Sequence, residues 1–160
     1  MLFRSKARWS RALSKLADDE TGMDVDRIRP TALEGDSLTR LQTFDVAGMR
    51  ASRREAYLVY QRLLAGIPGL RPIHDTLPMG VIPYGFPVVL DARDRLKQAL
   101  FAEGIQTVVH WDVPEEVTPS SFPESHALAR CILTLPVDEQ TGADGATRIA
   151  EAVRRILSRL

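Results

Sequence analysis

Apolar positions along this chain change their spacing several times, and each change marks an element. Leu38, Leu41, Phe44, Met49, Ala56, Tyr57, Tyr60, Leu63 and Leu64 follow the three-and-four spacing of one helical face. Ser37 offers an N-cap, and Gly66 followed by Pro68 ends the pattern, which predicts a helix or a helix pair between them. The proline-rich connection RPIHDTLPMGVIPYGFP leads into the apolar run Phe86 to Leu90, which reads as a strand. Pro83 and Pro87 put that strand at a sheet edge or make it irregular.

Further on, Asp91 is positioned to cap a helix carrying Leu96, Ala99 and Leu100, stopped by Gly104. From Ile105 to Trp111 the pattern alternates: Ile105, Thr107, Val109 and Trp111 point one way, Gln106, Val108 and His110 the other. Ser121 to Arg130 reads as a short helix, Cys131 to Leu135 as a buried strand, and TGADG as the turn that starts a last helix. That helix carries Ile149, Ala152, Val153, Ile156, Leu157 and Leu160. The second half is thus β-α-β-α-β-α in short pieces, an α/β (α+β) fold with a small sheet flanked by helices. Parallel and antiparallel pairing both remain open.

Upstream, Trp9, Leu13 and Leu16 share a helical face surrounded by Arg4, Lys6, Arg8, Arg11 and Lys15. A basic amphipathic helix can lie on a membrane surface or serve as a transit peptide. The acidic stop Asp18-Asp19-Glu20 opposes binding to an anionic surface and favours an ordinary packing helix. Residues 18–36 are polar and broken by Gly22, Pro30 and Gly35. The expected division is therefore 1–36, an N-terminal helix and polar loop, and 37–160, the folded domain with its leading helix.

Charge and composition narrow the function classes. The 160 residues hold 21 Lys+Arg against 21 Asp+Glu, so no net basic field exists to hold nucleic acid or an anionic membrane. No apolar run reaches the length of roughly 20 residues that spans a bilayer. Cys131 is the only cysteine, which excludes an internal disulfide and fits a reducing cytoplasm. Only Lys6, Lys15 and Lys97 are lysines, a scarcity that matters for any chemistry requiring an amine.

Candidate chemistry concentrates in GIQTVVHWDVPEE, Gly104 to Glu116. His110 ends a strand beside an aromatic ring, where α/β sheets tend to place ligand contacts; a histidine there is also commonly satisfied by its neighbours. A metal would have to recruit His110 with Asp112, Glu115 or Glu116, but consecutive acids beside Pro114 suit a solvated loop better. Cys131, inside CILTL, reads as a buried thiol. Tyr57 and Tyr60 read as core tyrosines beside a solvated Arg53–Arg54 pair rather than a nucleic-acid platform. No GxGxxG, P-loop, EF-hand series or G-x-S-x-G elbow occurs.

Taken in order, RREAYLVYQRLL, PYGFPVVLDARDRLKQALFAEGI, HWDVPEEV and LARCILTLPVDEQTGADGATRIAEAVRRIL resemble the C-terminal part of the DegT/StrS-type sugar aminotransferases, which use pyridoxal phosphate (PLP). The resemblance runs from about Ser37 to Leu160. It implies the small C-terminal domain of a fold-type I enzyme, which closes over a nucleotide-linked keto-sugar or related carbonyl substrate. It also implies a homodimer or a companion aminotransferase domain as partner. By position His110 and Trp111 match the family's substrate-side His-aromatic pair, whereas Glu115 and Glu116 depart from the family pattern. PLP catalysis needs a lysine for its Schiff base, and Lys6, Lys15 and Lys97 do not sit in the family's lysine motif. No catalytic, cofactor-binding or metal-ligating residue is therefore assigned. The resemblance implies PLP, but this chain alone is expected to bind none. The expectation is a truncated or split aminotransferase, inactive alone. The alternative is a non-catalytic module that pairs with a full-length aminotransferase or binds a nucleotide-sugar. A stand-alone α/β domain is the third reading.

Overall fold

A computed structural model describes residues 35–110 and 113–160. The chain divides into two compact units, Met1–Phe44 and Asp45–Leu160. The basic segment 1–20, the polar stretch up to residue 34, Trp111 and Asp112 lie outside the described residues. In the first unit, α1 spans Gly35–Thr43. Ser37, expected as an N-cap, lies inside this helix, and the side chains of Leu38 and Leu41 are exposed.

The second unit begins where the expected helix breaks. The Asp45 side chain accepts from the Gly48 amide at 2.8 Å and starts α2, Val46–Leu63. An N-cap aspartate satisfies an amide that has no partner in the first turn. Ala56, Tyr57, Val59 and Tyr60 form the buried stripe of α2, continued by Leu64. Gly66 at φ 71° then turns the chain away. The last helix, α5, spans Gly142–Leu157 and buries Ala146, Ala150, Val153 and Ile156. Ala146 and Ala150 lie one turn apart and leave room for a close approach; α2 and α5 share the most extensive contact between elements.

The sheet has three antiparallel strands in the order β1 (Arg71–Pro72), β2 (Gly85–Val89), β3 (Ile132–Pro136). Phe86 and Val88 of β2 and Leu133 and Leu135 of β3 are fully buried on one face, with Leu96 and Leu100 of α3 (Arg93–Ala102) in the same core. Gly85, Pro87, Ile132 and Thr134 belong to the other face, as the two-residue period of a strand requires. Tyr57 meets Phe86 edge-on with ring centroids 4.7 Å apart, and Tyr60 lies 5.2 Å away on the same ring.

Several expected elements are corrected. β2 is the central strand despite Pro87. Leu90 N–H bonds Cys131 O and Ile73 N–H bonds Pro87 O, so the donor that proline lacks would face β1. The β1 ladder accordingly stops after two residues. The strand expected over Ile105–Trp111 is a single bridge, Val108 to Thr134. The next rungs would need amides from Pro136, which has none, and from Ile132, whose N–H caps a helix on Leu128 O. The inward set Ile105 and Val109 still packs on the core.

Asp91 does not cap α3; Ala92 holds that position without a side-chain bond. The stop at Gly104 (φ 77°) is a Schellman end, with Gly104 N–H on Phe101 O and Ile105 N–H on Leu100 O. Cys131 is not in the strand. It closes α4, Pro123–Cys131, partly exposed, its thiol donating to Ala127 O at 3.0 Å. Nor is the arginine pair simply solvated: Arg53 pairs with Glu139 at 3.3 Å, and Arg54 donates to backbone carbonyls.

Tyr60 is fully buried, donates to Pro136 O at 3.0 Å, and burial with the nearby Asp138 charge raises its pKa well above the ordinary 10.0. The unfolded phenol ionises first, so stability from the neutral phenol is complete below about pH 10 and falls as pH rises above it. Tyr60→Phe is expected to cost about 1 kcal/mol at neutral pH and to reduce the alkaline loss, measured by urea unfolding between neutral and strongly alkaline pH.

Candidate functional site

The open face of the sheet forms the floor of a cleft of about 780 Å3. Gly85, Pro87, Ile132 and Thr134 lie along that floor, and the loop from Ile73 to Tyr84 forms a wall. Tyr57 of α2 and His110 complete the lining. The chain takes this shape because the proline-rich loop cannot extend β1, while α2 holds it from one side. The Arg54 guanidinium donates to Pro78 O at 3.0 Å and also to Val81 O; the Gln61 amide donates to Asp75 O.

At the centre stands Thr134, only 4% exposed, the one polar side chain in the buried set of the described residues. Its backbone bonds Val108 in both directions, and its Oγ1 lies 3.0 Å from His110 Nε2. The bridge that replaces the expected strand therefore serves to hold His110 over the floor. Tyr84, 75% exposed, faces the His110 ring with centroids 6.4 Å apart. Burial raises the pKa of the Tyr57 phenol, so it remains a neutral hydroxyl at physiological pH. Hydroxyls, imidazole and apolar walls suit a polyhydroxylated ligand with an apolar face.

Of the predicted substrate pair, His110 lines the cleft, whereas Trp111 lies outside the described residues. Glu115 and Glu116 are exposed and do not line it. Among the described residues no three His, Cys, Asp or Glu groups gather as metal ligands, and no helix is long and apolar enough to cross a membrane. Reasoning from the sequence missed Thr134, Tyr84 and Arg54. One signal was available for the first: a threonine set between leucines in ILTLP, on the face opposite theirs.

The sequence model of the DegT/DnrJ/EryC1/StrS aminotransferase family matches residues 37–154. The chain belongs to this family. It is similar to the dTDP-3-amino-3,4,6-trideoxy-alpha-D-glucose transaminase of Streptomyces venezuelae, 33% identical in an alignment of length 109 that covers 61% of this chain and 28% of that protein. Its fold is that of the aminotransferase TlmJ from Streptoalloteichus hindustanus (TM-score 0.64, 23% identity, 77% of this chain and 35% of that one). It is shared by a Streptococcus pneumoniae protein described as a sugar aminotransferase and solved in a PLP form (TM-score 0.63, 16% identity, 77% and 34%). The chain spans 28% to 32% of the curated relatives it matches.

Gly85 shows how tightly the cleft floor is built. A Cβ placed there would stand 2.2 Å from the Thr134 methyl group. Gly85→Ala is expected to destabilise the domain by about 1–3 kcal/mol through overpacking. Adding Thr134→Ser, which removes that methyl, should recover part of the loss in urea unfolding. Equal stability of Gly85→Ala and the parent would contradict the close approach.

Proposed function

We propose that this chain supplies the small, substrate-side domain of a PLP-dependent sugar aminotransferase. It transfers an amino group only when a lysine-bearing PLP domain completes it, from a companion chain or from a longer protein. The observation that carries this reading is the family match over 37–154, confined to less than a third of the curated relatives' length. It is joined by the placement of Lys97. PLP, when bound, acts as an electron sink held on a lysine amine. Among the described residues the only lysine is Lys97, exposed on α3 and absent from the cleft lining. The described residues thus do not fit the cofactor, and no step through it is assigned to them.

The chain's part is binding. His110, oriented by Thr134, and Trp111 contact the substrate, with the Tyr57 and Tyr84 hydroxyls available to a sugar. The Streptomyces venezuelae relative is named for a dTDP-linked amino sugar, so a nucleoside-diphosphate keto-sugar is the substrate class we assign. The reading favours an enzyme part over a free-standing binding module, because the match follows the family in order across 37–154.

Incubation of the chain with equimolar PLP is expected to give no saturable imine band, and borohydride to leave only the sub-stoichiometric labelling that exposed amines of any protein give. Grafting residues 37–154 into that relative, in place of the matching segment, is expected to give an enzyme that transaminates its dTDP-sugar. In the graft His110→Ala should raise KM on the order of tenfold, the loss of a hydrogen bond or two. A stoichiometric adduct on Lys97, or a PLP-loaded graft without activity, would sink the proposal.

A further inference from the structure

We propose that Arg54 is the positioning residue of the cleft, setting the wall that faces His110. This inference rests on the reading of the cleft as the substrate site. Arg54, Tyr57 and Gln61 stand at i, i+3 and i+7 on α2, hence on one face of the helix. The two outer residues grip the loop backbone: Arg54 at Pro78 O and Val81 O, Gln61 at Asp75 O. Tyr57, between them, lines the cleft.

The grip falls on a tight turn. Val81 N–H returns to Pro78 O at 3.3 Å, and Gly80 takes φ 85°, which favours glycine. One guanidinium thus holds the carbonyls at both ends of the turn. Hydrogen bonds from a charged donor to a carbonyl are stronger than neutral ones. The turn needs such an anchor because it has little packing of its own: Met79 is 97% exposed, and Val81 and Ile82 are exposed as well. Without Arg54, Leu77, Pro78, Val81 and Ile82 would lose the fixed line that closes the cleft opposite His110. The residue touches no reacting atom; it acts through the loop.

Arg54→Met keeps the apolar stem and removes the donors, so lost packing is not mistaken for a lost anchor. In amide exchange of the full chain, Val81 is expected to exchange on the order of tenfold faster in this variant. Leu133 and Leu135, at the centre of the sheet, should keep their protection. Unchanged exchange at Val81, or equal acceleration at Leu133 and Leu135, would overturn the proposal. In the grafted enzyme the variant should raise KM and leave kcat within about twofold; a fall in kcat at constant KM would also overturn it. If the graft carrying Arg54 is inactive, the substrate reading fails, and the exchange comparison still decides the role of Arg54.

Discussion

The ring of Phe86, held edge-on by Tyr57 and closely packed by Tyr60, is the contact on which the rest of the unit depends. It joins α2 to the central strand and commits one face of the sheet to the helices. Strand geometry then leaves Gly85, Pro87, Ile132 and Thr134 on the other face without any further instruction. A register slip of one residue would exchange the two sets and place Thr134 in the core. Phe86, Leu133 and Leu135, all fully buried, oppose that slip, since each large apolar side chain is worth roughly 1.5–3 kcal/mol when withdrawn from water. The cleft is therefore a consequence of how the core is packed.

Missing backbone donors set the limits of the sheet. Pro87 faces β1 without an N–H, Pro136 has none to offer the segment after Gly104, and Ile132 spends its own on the end of α4. Two short pairings result, the two-residue β1–β2 ladder and the single Val108 bridge. The segments left over are the ones that build the cleft: the loop from Ile73 to Tyr84, and the stretch that carries His110. A proline in a strand usually weakens a sheet; here two prolines also decide where pairing stops and the cleft begins.

Features with a regular period were legible in the sequence. The stripes of α2 and α5, the strands around Phe86 and Leu133, and the stop at Gly104 all follow from spacing and from glycine's tolerance of positive φ. Features set by single long-range bonds were not. Alternation from Ile105 to Val109 was real, since Ile105 and Val109 pack inward, but side-chain period does not report whether a neighbouring strand has amides to offer. Asp45, by contrast, makes the helix pair that the pattern allowed through a local bond, for which Gly48 leaves room. Arg54 looked solvated because its partners, Pro78 and Val81, lie more than twenty residues on, in a loop with no period of its own. His110 could be singled out by position and Thr134 by its place between leucines, but their partnership could not, because only the Val108 bridge brings the two together.

The unit keeps an open cleft beside a core that is complete in itself. The core is closed by apolar residues from α2, α3, α5 and the sheet, and nothing in it requires a cofactor for its packing. The cleft carries hydroxyls, an imidazole and rings, groups that recognise and orient, and among the described residues no lysine lines it. Lys97 stays on the surface of α3. A cleft of this kind needs walls of fixed shape. In this unit that requirement falls on backbone carbonyls gripped from α2, and on the single rung that sets His110 beside Thr134.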